Sequence, residues 1–131
     1  MLTTHLSRAI KVTTLFAVPL LSLGLAVTPA HAFTAIAYAP HSHFHGWSRD
    51  KATRSEAEAE AMARCNVSGI DCQPVVYSKN CVALVIDDLY GWAAASGPTE
   101  AAAIKKAFRL SKTVGDEKFE IWESLCNTGQ D

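Results

Sequence analysis

The sequence predicts an α+β domain made of two pseudo-repeated ββαβ units, forming a mainly antiparallel sheet with two helices and stapled by two disulfides. Three observations lead there. The chain repeats itself at an offset of 45 residues. Each copy sets short, strand-like apolar runs around one alanine-rich amphipathic stretch. Four cysteines, an even number, stand in a short chain.

Residues 1–32 read as an export signal, apart from the domain. Arg8 and Lys11 come first with no acid, then an apolar run from Val12 to Val27, then the small–x–small triplet Ala30-His31-Ala32. Pro19 and Gly24 interrupt a run that is already short for a membrane span. Cleavage after Ala32 leaves a single secreted domain, 33–131, of 99 residues, with no transmembrane segment. Removing two of the twelve basic residues and none of the thirteen acids gives it a net charge of −3. A mildly acidic domain without a basic stripe is a poor nucleic-acid binder.

The first copy spans about 33–81. Phe33 to Ala39 reads as a strand, 40–45 as a turn, and Gly46-Trp47-Ser48 as a second strand pairing back. Thr53-Arg54-Ser55-Glu56 is a capping box, so a helix begins there and runs to about Cys65, with Asn66 and Gly69 ending it. Ala57, Ala61, Met62 and Cys65 make its inward stripe. Cys72 to Ser78 is a strand whose Pro74 marks an edge or a start.

The second copy spans about 82–126 and follows the same order. Cys81 to Ile86, apolar throughout, reads as a central strand covered on both faces, and Gly91-Trp92-Ala93 as its partner. Gly97-Pro98-Thr99 opens a helix to about Leu110 with Ile104, Ala107 and Phe108 inward. In the last strand Phe119, Ile121 and Leu125 alternate against Glu120, Trp122 and Ser124. The offset sets Gly46-Trp47 on Gly91-Trp92, Ala57 on Ala102, Arg64 on Arg109, Asp71 on Asp116, Val76-Tyr77 on Ile121-Trp122, and Cys81 on Cys126. With a three-residue gap, Ala35-Ile36-Ala37-Tyr38 falls on Ala83-Leu84-Val85-Ile86.

Cysteine spacing argues against a four-thiolate zinc site, because no C-x2-C knuckle occurs. The repeat suggests the pairing. Cys65 falls on Leu110 and Cys72 on Glu117, so both are absent together from the second copy, which points to Cys65–Cys72 and Cys81–Cys126. The short loop contributes about 2.5 kcal/mol and the long one about 4 kcal/mol in the chain-entropy picture.

With these elements in order, the chain resembles the family of small secreted bacterial, actinobacterial-type proteins called domain of unknown function 4189. The resemblance rests on Ala35-Ile36-Ala37-Tyr38-Ala39-Pro40, the Trp47 segment, the helix 55–65 ending in Cys65, Asp71-Cys72, Cys81-Val82-Ala83-Leu84 and Cys126-Asn127, and covers 33–127. It implies export and a two-disulfide α+β domain. It implies no catalytic residues or cofactor, and a segment around 41–45 that varies and is not typically histidine-rich. Host-facing roles of relatives make an effector role the associated expectation.

Three features could carry chemistry. His41, His43 and His45 alternate, so an extended segment puts them on one face, spread over roughly 13 Å. One zinc ion cannot reach all three at 2.0–2.1 Å from a straight strand, although a tight turn can gather them. The plainer reading is a polar hairpin turn. Asp87-Asp88 takes the equivalent position in the second copy; paired carboxylates suit acid–base work, but Asp is an ordinary turn residue. Trp47, Trp92 and Trp122 read as core or half-buried rings, and as a binding face if exposed together. No G-x-S-x-G elbow or phosphate-binding glycine loop occurs, and two disulfides leave no thiolate. The functional expectation is a secreted, non-enzymatic domain, without cofactor, that binds a protein partner or an envelope component. The alternatives are a small hydrolase or metal-binding protein using the histidine turn, and a purely structural envelope protein.

Overall fold

A computed structural model describes residues 32–66, 71–115 and 118–129. Residues 1–31 of the segment read as an export signal, Gly69, and the positions equivalent to Asp71 and Cys72 under the offset, Asp116 and Glu117, lie outside the described residues. The order is β1 (Phe33–Ala39), β2 (Phe44–Lys51), α1 (Arg54–Cys65), β3 (Gln73–Ser78), β4 (Cys81–Ile86), β5 (Trp92–Gly97), α2 (Glu100–Ser111) and β6 (Glu120–Cys126). The α+β class and the two ββαβ units follow directly.

The strands divide into two antiparallel three-stranded sheets, β2-β1-β3 and β5-β4-β6, where the sequence reading drew a single one. The cause lies in the central strands. Each takes both its neighbours from its own unit, and each is buried on both faces. Ile36 and Tyr38 of β1 meet Val82, Leu84 and Ile86 of β4 in a core between the sheets. The opposite faces carry small residues. Ala35, Ala37 and Ala39 lie against Ala57, Ala61 and Cys65 of α1; Ala83, Val85, Ala93 and Ala95 lie against Ala103 and Ala107 of α2. The result is four layers: helix, sheet, sheet, helix. Fully burying one of the large side chains between the sheets contributes about 1.5–3 kcal/mol.

Alanine on both helices and strands lets each helix sit close on its sheet. Gly46 takes this furthest: a Cβ there would overlap the Ala61 carbonyl and the Cys65 amide of α1. Two hydroxyls follow the same contact inward, Thr34 donating to the Ser48 carbonyl at 2.7 Å and Ser48 to the Ala57 carbonyl at 2.6 Å. Both helices start as capped helices should: Thr53 accepts from the Glu56 N–H and Thr99 from the Ala102 N–H.

The caps correct the repeat. Thr53 falls on Thr99, so Ala57, Ala61 and Cys65 match Ala103, Ala107 and Ser111, one residue beyond the offset read from the sequence. The strands shift further. A bulge lies after Ile36 in the β1–β3 pairing and after Leu84 in the β4–β6 pairing, which sets Ile36 on Leu84 as expected but Val76 on Glu123. By register, Trp47, opposite Ile36, matches Ala94, opposite Leu84, and Trp92 matches His45. The shared Gly-Trp pairs are therefore not equivalent positions. The β6 bulge also breaks the expected alternation: Ile121 is exposed, while Leu125 packs between the sheets and Phe119 against the α2 layer. Inward residues of α2 are Ala103, Ala107 and Ser111, with Ile104 and Phe108 half-buried beside them.

Cys65 is bonded to Cys72, tying the end of α1 to the approach to β3. Cys81 is bonded to Cys126, its direct partner across β4 and β6. Cys81 opens β4 and Cys126 closes β6, so they are not the like ends of two copies; neighbouring strands bring them together.

Candidate functional site

The two hairpin turns meet at one end of the sandwich. In the first unit β1 turns at 40–43 into β2; in the second, β4 turns at 87–91 into β5. Both turns hold a residue in the left-handed region, His43 at φ 57° and Tyr90 at φ 68°, and these two rings lie 5.1 Å apart. Non-glycine residues adopt this conformation uncommonly.

Around that pair a ring cluster assembles from both units. His43 lies near-parallel to Tyr38 at 6.4 Å and edge-on to Trp122 of β6 at 6.3 Å. Trp92 meets Tyr38 edge-on at 6.1 Å, and His41 lies 6.1 Å from Tyr90. His45, the second residue of β2, meets Trp122 edge-on at 6.1 Å. The Trp122 indole N–H donates to His45 Nδ1 at 3.0 Å. That nitrogen must then be the acceptor, so the ring proton sits on Nε2, which donates to the Glu123 carboxylate at 3.2 Å.

Asp87 shapes the second turn. It is buried, and its Oδ1 accepts from the Leu89 and Gly91 amides, each at 2.7 Å. Gly91 leaves room for this carboxylate, because a Cβ there would overlap Asp87 Oδ2 as it is held. Asp88 is exposed, so the two neighbouring acids stand in different surroundings. Burial, and then the Asp87 charge, push the Tyr38 phenol up to about 12, which keeps it a hydroxyl donor at any physiological pH.

Among the described residues, two buried side-chain polar atoms have no hydrogen-bond partner: Tyr38 Oη and His43 Nε2. Both belong to this cluster. Above them the surface is apolar and open, with Tyr90 54%, Leu89 66% and Trp122 43% exposed.

The three histidines therefore meet aromatic rings and a carboxylate. Among the described residues no group of three or more His, Cys, Asp or Glu is placed to hold a metal ion. The tryptophans separate. Trp122 is in the cluster, Trp92 borders it against Tyr38, and Trp47 lies elsewhere under the guanidinium of Arg64 at 4.5 Å. Sequence reasoning missed Tyr38, Tyr90 and Glu123. The first looked like a strand residue, the second like a turn residue, and Glu123 is 78 residues from its partner His45.

These features define a class: a disulfide-stapled sandwich of two like ββαβ units, with one aromatic end to which both contribute. The chain belongs to the DUF4189 family, described as a domain of unknown function, whose model matches residues 33–126. Its fold is similar to the NMR structure of Rv1813c from Mycobacterium tuberculosis, with 22% identity and a TM-score of 0.55 over 97% of this chain and 99% of that one. At that identity the likeness concerns the fold alone. No curated protein matches the chain. Among the described residues, no helix is long and apolar enough to cross a membrane.

Proposed function

We propose that the protein is an exported binding module that takes its partner, a protein or an envelope component, on the aromatic–histidine end. One observation carries this reading: Tyr90 and Trp122 stand exposed over two buried polar atoms that the fold leaves unpaired. Exposed aromatic rings with a polar handle dominate binding surfaces, because they bury much area at low conformational cost. Buried polar atoms without a partner are rare in folded proteins and gain most from a ligand that satisfies them. Export is supported by the segment 1–32 and by two disulfides, which persist in oxidising compartments.

The test is affinity capture from culture-supernatant and envelope fractions with the oxidised protein and a Tyr90→Ala/Trp122→Ala variant, both checked for native circular dichroism. A component retained by the wild type and released by the variant is the expected result. Equal retention by both would place binding on another surface and overturn the proposal.

A further inference from the structure

The two helices differ in charge, and from that difference we infer a second binding site: a groove on α2 for an anionic amphiphile, a molecule joining a phosphate or carboxylate to an apolar chain.

With the caps aligned, Ala59 and Ala63 of α1 fall on Lys105 and Arg109 of α2, Glu60 on Lys106, and Met62 on Phe108. Both arginines of the first helix are paired with its own acids. Arg54 pairs with Glu58 at 2.8 Å, Arg64 with Glu60 at 2.5 Å, and Lys51 also reaches Glu60. The second helix has one acid, Glu100, which accepts from the Ser124 hydroxyl. Among the described residues, Lys105, Lys106, Arg109 and Lys112 have no carboxylate partner.

Lys105, Arg109 and Lys112 stand four and three residues apart, hence on one face of the helix turn. Together with Phe108 they line an open groove of about 390 Å³. Like charges at this spacing weaken a helix. The helix dipole accounts for cations in the last turn, such as Arg109, but not for Lys105 and Lys106 in its middle. An anion bridging the three cations relieves their repulsion. Phe108, half-buried against the alanines beneath, gives the groove an apolar floor, and Leu110 and Val114 stand exposed nearby in sequence. Cations over an apolar floor fit a ligand with a charged head and an apolar body, more closely than a bare ion. No residue of the ring cluster lines this groove, so the two sites are separate.

The test titrates the purified, oxidised protein with octyl phosphate below its micelle concentration, with inorganic phosphate, and with octyl glucoside, following the Phe108 ring and the lysine and arginine side chains by NMR. Octyl phosphate is expected to bind saturably, at least about tenfold more tightly than either control, and to weaken as salt rises. A Lys105→Glu/Arg109→Glu variant is expected to lose at least about tenfold in affinity. Lys105→Gln/Arg109→Gln, which adds no new charge, serves if the first variant does not fold. Equal affinity for inorganic phosphate or for octyl glucoside would overturn the amphiphile assignment. Unchanged binding by the folded variant, or no saturable binding at all, would overturn the site.

Discussion

At one end of the sandwich Asn127 is buried and every polar atom of its side chain has a backbone partner. At the other end Tyr38 is just as buried, and its hydroxyl has none. Asn127 Oδ1 accepts from the Asp50 amide at 2.9 Å, while Nδ2 donates to the carbonyls of Lys79 at 2.8 Å and Ala32 at 3.0 Å. The next residue, Thr128, donates twice to the Asp50 carboxylate, from its amide and its hydroxyl. Burial works to raise the Asp50 carboxyl, but these bonds and the nearby Arg49 and Lys51 hold it below its usual range. One side chain thus joins the start of the first unit, the end of β2 and the link between units. The same strands, followed to their other ends, lead to His43, Tyr90 and Trp122 and to two unsatisfied atoms. The clamped end closes the fold; at the open end, two buried polar atoms have no partner among the described residues.

Breaking the clamped end should give the largest effects. Replacing Cys81 and Cys126 by serine opens a loop of 45 residues, and is expected to cost about 4 kcal/mol in urea unfolding. A cost below about 2 kcal/mol would mean that strand pairing alone closes this end. Asn127→Ala leaves three backbone groups unpaired, and is expected to cost about 2–4 kcal/mol by the same measurement. Asn127→Asp, which keeps only the acceptor, should fall between it and the wild type.

How far these ends could be read beforehand differs. The fold class, the capped helix at Thr53, the doubly covered β4 and the two-unit plan are legible because period, caps and apolar runs are local signals. The division into two sheets was not, since it depends on which strand each central strand takes as neighbour. Repeat register failed for a definite reason: matching Gly-Trp pairs fixed the offset, while bulges after Ile36 and Leu84 and the caps set the true alignment. The histidine turn was visible as a candidate, but what completes it was not. His45 finds Trp122 and Glu123 across 77 and 78 residues, and no local pattern announces that contact.

A smaller effect appears at high pH. Tyr38 ionises at about 12 in the folded protein, against about 10 in an unfolded chain. Ionisation of this group therefore does not affect stability below pH ~10, and stability falls as pH rises from there through the folded value, because the unfolded state releases its proton first. Alkaline absorbance titration should show a late tyrosine component that Tyr38→Phe removes. If no late component appears, the phenol is not in a buried site beside Asp87.

The comparison of the two ends rests most directly on the stability of Tyr38→Phe itself, measured by urea unfolding of the free, oxidised protein. If the hydroxyl is buried without a partner, removing it should leave stability unchanged or raise it by up to about 1 kcal/mol. A loss of more than about 1 kcal/mol would show that the hydroxyl is bonded within the fold, and would contradict the account of the aromatic end as capacity held open for a ligand.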